Sequence, residues 1–95
     1  MPKGYIIVRA TVTNPEKWGE YLAASKPVLE RFEGRPIVRG GKCETVEGAG
    51  VARNVVLEFP SFDNAIGYAK SADYIAAKAL RQGAGTLDMT VVEGV

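Results

Sequence analysis

Glu58 and Arg39 are the two residues of this chain with the clearest potential for chemistry. Glu58 stands between apolar neighbours in the run Val56-Leu57-Glu58-Phe59. Burial would raise the pKa of this carboxyl and let it transfer a proton, whereas a nearby Arg39 would keep it ionised and could bind an anionic group through two hydrogen bonds. A structural ion pair accounts for the same two residues, and we favour it over a catalytic pair.

A second set of candidates, for ligand binding, comprises Tyr68, Ser71, Tyr74 and Asn54. Tyr68 and Tyr74 flank a predicted helix break at Ser71, where their rings could line a pocket for a small anionic or aromatic ligand. Ser71 is equally explained as a helix cap. Asn54 is assigned to the site because it shares a strand face with Glu58.

Composition excludes several classes of function. Histidine is absent and Cys43 is the single cysteine, so we expect no zinc, haem or histidine-based catalytic site and predict no cofactor or metal. Twelve basic residues nearly balance eleven acidic ones without forming a block, which argues against binding to nucleic acid or a membrane surface. No apolar run suits a signal peptide or a membrane span, and we expect a cytoplasmic protein.

Apolar periodicity predicts the elements that position these residues. Alternation with a period of two predicts strands at 4–12, 35–46, 52–59 and 86–93. The first of two helices is predicted to start at the cap Asn14 and to end at Gly34, and the second is broken at Ser71. Gly40-Gly41 falls inside the second strand, where paired glycines indicate a bulge or a close backbone approach.

The order β-α-β-β-α-β predicts a single ferredoxin-like α+β domain over residues 1–95, with an antiparallel four-stranded sheet and two helices on one face. The opposite face is half apolar. Its predicted members are Tyr5, Ile7, Arg9, Asn54, Val56, Glu58, Thr90 and Val92, with Arg39 and Asp88 as further candidates. Because a monomer would expose this patch, we expect a homodimer through the open sheet face, with a monomer as the alternative.

Several segments, taken together, resemble a known family. They are Val56-Leu57-Glu58-Phe59-Pro60-Ser61, Ser71-Ala72-Asp73-Tyr74, Tyr5, Tyr21, Arg39-Gly40-Gly41, Glu47-Gly48, Arg81 and Glu93-Gly94. In this combination the chain resembles, nearly from end to end, the domain-of-unknown-function family thirteen-thirty of the dimeric α+β barrel superfamily. Two positions depart from the family pattern: Ala69 stands where an aromatic residue is common, and Glu33 where a second glycine is usual before Gly34.

The resemblance implies a dimeric α+β barrel and leaves the activity open, because the family has no agreed function. Relatives across the superfamily include cofactor-independent monooxygenases, isomerases, haem-handling proteins and ligand-binding modules, so fold analogy does not choose among them.

Two hypotheses of function follow. In the first, the protein has a small-molecule pocket and could be a cofactor-independent enzyme. Arg39 would hold an anionic group and Glu58 would move a proton. The opening would be shaped by Tyr68, Ser71 and Tyr74. In the second, the protein is a non-catalytic dimeric module of structural or stress-related use, and the same charges only neutralise one another.

Overall fold

The structure, a computed structural model, describes residues 2–95, whose strands and helices alternate much as predicted. They form β1 (Gly4–Val12), α1 (Pro15–Arg31), β2 (Arg35–Arg39), β3 (Arg53–Phe59), α2 (Phe62–Lys70), α3 (Ala72–Ala79) and β4 (Gly85–Glu93). The strands pair antiparallel in the spatial order β2-β3-β1-β4. The predicted α+β class with a four-stranded antiparallel sheet is therefore confirmed.

The second helical segment is two helices, so the predicted βαββαβ order is corrected to β1-α1-β2-β3-α2-α3-β4. Ser71 separates them because its backbone is extended, with φ −66° and ψ 148°. Its hydroxyl oxygen accepts from the amide of Tyr74 at 3.1 Å and donates to the carbonyl of Tyr68 at 2.9 Å. Ser71 thus caps α3 and satisfies a carbonyl at the end of α2.

One face of the sheet and the helices share a single core. Ile6, Val8 and Ala10 alternate along β1 and are buried on this face, and β3 adds Leu57 and Phe59. The helices complete the core through Trp18, Tyr21, Val28, Ala65, Tyr68, Tyr74 and Ala77. The apolar residues that recur with the strand period and those that recur with the helix period therefore pack together in one layer.

Helix α1 begins as predicted and ends differently. The side chain of Asn14 accepts from the amide of Lys17 at 3.1 Å. At the other end, the amide of Gly34 donates to the carbonyl of Leu29 at 2.9 Å, and that of Glu33 to the carbonyl of Glu30 at 3.0 Å. This is the Schellman arrangement, in which the residue with left-handed backbone is Glu33, at φ 62°, and not the predicted cap Gly34.

Strand β2 ends at Arg39, well before the predicted end at residue 46. Gly40 leaves the strand with φ 64°, and residues 41–52 form an irregular segment before β3. The bulge predicted at Gly40-Gly41 lies instead between Pro36 and Val38, where the register shifts and Ile37 is the extra residue. Pro36 fits this place because β2 is an edge strand, and proline occurs in sheets at edges and bulges.

The left-handed backbone of Glu33 gives the first testable prediction. A residue with a Cβ is strained in this conformation and glycine is not, so Glu33→Gly should raise the free energy of unfolding by about 1 kcal/mol. Urea denaturation at neutral pH measures this change. Glu33→Ala is the control, since it removes the carboxylate but keeps the Cβ. An equal gain in both variants would attribute the effect to charge and would contradict the prediction.

Candidate functional site

Glu58 lies on the open face of the sheet, opposite the core, and is surrounded by donors. Its neighbour Arg35 on β2 donates to Oε1 from Nε at 3.1 Å and from Nη2 at 2.8 Å. Tyr5 on β1 donates its hydroxyl to Oε2 at 3.0 Å, and Lys3 Nζ lies 3.4 Å from Oε1. Because the Glu58 side chain is only 13% exposed, these donors replace most of its water.

The donors decide the charge of Glu58. Hydrogen bonds from Arg35 lower the pKa of the Glu58 carboxyl, helped by Tyr5 and Lys3 and opposed by partial burial. The same contact raises the pKa of Tyr5, because the ionised carboxylate holds the phenolic proton. Of the two alternatives for Glu58, the structure therefore supports the ionised carboxylate over the proton donor.

Arg39 is not the arginine beside Glu58. The register places Arg39 opposite Val55 on β3, whose side chain belongs to the core face, and places Arg35 opposite Glu58. The prediction that Arg39 shares a face with Glu58 is wrong because the extra residue Ile37 moves every later residue of β2 to the other face. Arg35 takes the place that was assigned to Arg39.

Tyr68 and Tyr74 lie in the core, each only 3% exposed. Their ring centroids are 4.9 Å apart, and the hydroxyl of Tyr74 is hydrogen-bonded to that of Tyr21 at 2.9 Å. Burial raises the pKa of Tyr21 and of Tyr68 well above the usual range, so both stay protonated. Within one subunit these rings pack as an aromatic cluster, and Ser71 serves the backbone of the two helices.

Asn54 lies on the open face, in a polar depression of about 520 Å³. Its side-chain amide donates to the carbonyl of Val51 at 3.0 Å, and Arg9 beside it donates to the carbonyl of Ala49 at 3.0 Å. Both donors hold the irregular segment between β2 and β3 against the sheet. The structure brings Asn54 together with Arg9, its partner across β1 and β3, and not with the tyrosines.

An apolar cleft of about 500 Å³ opens between the first half of α1 and the adjoining ends of β1 and β3. It is lined by Ala10, Thr11, Val12, Pro15, Trp18, Gly19, Leu22, Ala52 and Arg53. Sequence reasoning missed this cleft, because its shape depends on small residues. The available signal was Gly19, a glycine in the interior of a helix, together with Leu22, which is 42% exposed on the same helix.

Arg53 is the charged residue of this cleft. It pairs with the buried Ala10 on β1, so its side chain starts from the core face of the sheet. Residues 2–95 offer it no salt-bridge partner within 4.0 Å. Its side chain runs beside Gly40, where an added Cβ would lie 3.4 Å from Nη1. The cleft is therefore lined mostly by apolar residues and by one arginine that has no salt-bridge partner among residues 2–95.

Trp18, in the wall of the cleft, is held from behind by Arg81. The guanidinium carbon of Arg81 lies 5.6 Å from the Trp18 ring centroid and 5.0 Å from that of Tyr21. Its Nε is buried without a hydrogen-bond partner among residues 2–95, which the aromatic faces partly compensate. Arg81 is thus a packing residue that fixes the indole.

Among residues 2–95, no group of three or more His, Cys, Asp and Glu side chains is placed to hold a metal ion. None of the helices in this range has the length and apolar character needed to cross a membrane.

The fold is shared with solved structures of low sequence identity. A Rhodopseudomonas palustris protein of unknown function, RPA0582, superposes with a TM-score of 0.79 at 17% identity, over 99% of this chain and 83% of that one. SnoaB, a cofactor-independent oxygenase from Streptomyces nogalater, gives 0.61 at 12% identity, over 97% and 92%. A dimeric ferredoxin-like protein of unknown function from Thermobifida fusca gives 0.55 at 13% identity, over 99% and 92%.

Comparison with curated proteins finds no match. The family resemblance suggested by the sequence motifs is confirmed by a match over almost the whole chain. Because the model of the family described as Domain of unknown function (DUF1330) matches residues 3–95, the chain belongs to that family.

Proposed function

We propose that this protein is a homodimeric α+β barrel that binds a small molecule in the apolar cleft beside α1. The proposal is based on the cleft itself, which no side chain of residues 2–95 fills. Its volume of about 500 Å³ lies within the range of known small-molecule sites. Its chemistry, a mostly apolar wall with one charged group, is also typical of such sites.

The lining of the cleft favours binding over catalysis. Thr11, Trp18 and Arg53 are the residues there with a polar side-chain group, and none of them is an acid–base group near neutral pH. Glu58 and Arg35 lie on the other face of the sheet, where they neutralise one another. The fold of SnoaB is compatible with enzymatic use of such a barrel, but no residue of this cleft is assigned a reacting role.

The open sheet face supports the homodimer. Three rows of side chains cross it: Arg35, Glu58, Tyr5 and Val92; then Val38, Val56, Ile7 and Thr90; then Asn54, Arg9 and Asp88. The middle row is apolar at three positions, and Ile7 and Val38 are 42% and 44% exposed. The molecule measures 36 × 33 × 17 Å, a flattened shape whose sheet gives a broad surface for a partner.

A sheet-to-sheet dimer predicts a specific response to charge at its centre. Native mass spectrometry should show twice the subunit mass of 10.2 kDa, with a further small-molecule increment if a ligand is retained. Ile7→Lys should convert the protein to a folded monomer, because it buries an unpaired ammonium group in the interface. Ile75→Lys is the matched control, since Ile75 is 56% exposed on α3, in the helical layer.

A dimer that persists in Ile7→Lys and dissociates in Ile75→Lys would place the interface on the helices. A monomeric parent protein would remove the dimer from the proposal. A dimer without any increment, and without binding of added ligands, would favour the purely structural module.

The ionised state of Glu58 predicts how stability depends on pH. Its pKa is lowered in the folded state, so between the folded and the unfolded pKa the unfolded chain binds more protons. Its contribution is therefore present above the ordinary carboxyl pKa of about 4.3 and is lost as pH falls through the folded value. Glu58→Gln should destabilise the protein near pH 7, and this difference should shrink at about pH 3.

Urea denaturation of both proteins at the two pH values measures this dependence. Glu20→Gln, an exposed carboxylate on α1, is the control and should change little at either pH. A proton-donating Glu58 with a raised pKa would give the opposite sign, a parent protein that loses its advantage over Glu58→Gln as pH rises. That result would return Glu58 to the catalytic hypothesis.

A further inference from the structure

We propose that the ligand of the cleft is a small monocarboxylate with an apolar body, whose carboxylate binds Arg53 and whose body lies against Gly19 and Trp18. This inference rests on the proposed small-molecule function and names the ligand chemistry of the same site. Two independent features support it: among residues 2–95, Gly19 is a helix glycine with no packing role, and Arg53 is an arginine without a salt-bridge partner.

Gly19 has no packing reason within the chain. It lies inside α1, where glycine is less stable than alanine. A Cβ built on Gly19 meets no atom within 4 Å. Gly34 differs, since a Cβ there would lie 2.5 Å from Cε2 of Phe59 and glycine is required by the core. Gly19 is exposed and lines the cleft, so a molecule bound there can approach the helix backbone closely.

Arg53 supplies the complementary charge. Arg53 is a half-buried residue of the cleft lining and has no carboxylate partner among residues 2–95, so its guanidinium is available to pair with an anionic group of a bound molecule. Its planar donor fork matches a carboxylate through two parallel hydrogen bonds. The other lining residues are uncharged, so the cleft complements one negative charge, next to an apolar wall that includes Trp18 and Leu22.

The position of the cleft supports a small molecule over a second copy of the chain. Ala10 and Arg53 lie on the core face of the sheet, and the first half of α1 forms the facing wall. The lining is completed by Thr11, Val12 and Ala52. The apolar open face that fits a second copy is the opposite side of the same sheet. A concave site of this volume suits a ligand better than a flat subunit surface.

Octanoate and its neutral isostere octanamide test the charge requirement. The single tryptophan gives one indole N–H resonance, so titrations of the ¹⁵N-labelled dimer report directly on Trp18 in the cleft wall. We expect octanoate to shift this resonance and to bind roughly tenfold more tightly than octanamide, the value of one charge-assisted contact. Arg53→Gln should remove this preference, while Arg39→Gln, in β2 and outside the cleft lining, should keep it.

Gly19→Leu tests the steric requirement, because it fills the space beside the helix. It should abolish the response to both probes, whereas Glu20→Leu, on the exposed side of α1, should not. Thermal unfolding checks that both variants are folded, and native mass spectrometry checks that both are dimers.

Five results would overturn the inference, and together they separate it from the proposed function. Equal binding of octanoate and octanamide would refute a monocarboxylate ligand, and so would an unchanged preference for octanoate in Arg53→Gln. If Gly19→Leu still blocks binding in that case, the proposal of a small-molecule cleft stands. Loss of the preference in Arg39→Gln alone assigns the anion to β2. No response to either probe refutes the inference, and dissociation of the dimer in Gly19→Leu would make the cleft a subunit contact and refute both proposals.

Discussion

The structure depends on β1, which is paired on both sides and has two faces of different character. Its antiparallel register with β3 and β4 runs without a shift from Gly4 to Ala10. Because strand side chains alternate, this register fixes Ile6, Val8 and Ala10 in the core and Tyr5, Ile7 and Arg9 on the open face. A slip by one residue would exchange the two sets, exposing the core and burying Arg9. This strand positions the helices, the cleft, and Glu58 with its hydrogen-bond donors.

Regular alternation explains how much of the fold could be predicted. Where strands keep an unbroken period of two, as in β1 and β3, the sequence assigns both faces correctly, including Glu58 to the open one. Helix starts are also predictable, because Asn14 and Ser61 act through short-range hydrogen bonds to the next turn. A helix start of this kind is determined by hydrogen bonds between residues close in the sequence, so it depends little on contacts with distant parts of the chain.

The site was less predictable because it depends on small deviations from regularity. One extra residue at Ile37 exchanges Arg39 for Arg35 as the partner of Glu58, and Pro36 in an edge strand was the only local sign of it. Tyr68 and Tyr74 do flank the break at Ser71, but their rings pack in the core and the hydroxyl of Tyr74 is hydrogen-bonded to that of Tyr21. The cleft is open partly because Ala10, Gly19 and Ala52 in its lining have a short side chain or none, and the periodicity of apolar residues does not reveal such gaps.

The two faces of the sheet allow dimerisation and ligand binding to be separate functions of one small domain. The molecule is 17 Å thick and has a single core layer, so a residue on β1 or β3 serves either the helices or the open face. Glu58 forms ion pairs with Arg35 and Lys3 and accepts a hydrogen bond from Tyr5, all within one chain. It could therefore enter an interface without an opposite charge from a partner. Arg53, on the other face, has no such neighbour. Burial of a charge costs less when the charge is paired, so the paired carboxylate of Glu58 suits an interface, whereas Arg53, unpaired among residues 2–95, suits a site for an anionic ligand. We therefore place the proposed binding chemistry beside α1, at Arg53, and propose a structural role for the carboxylate of Glu58.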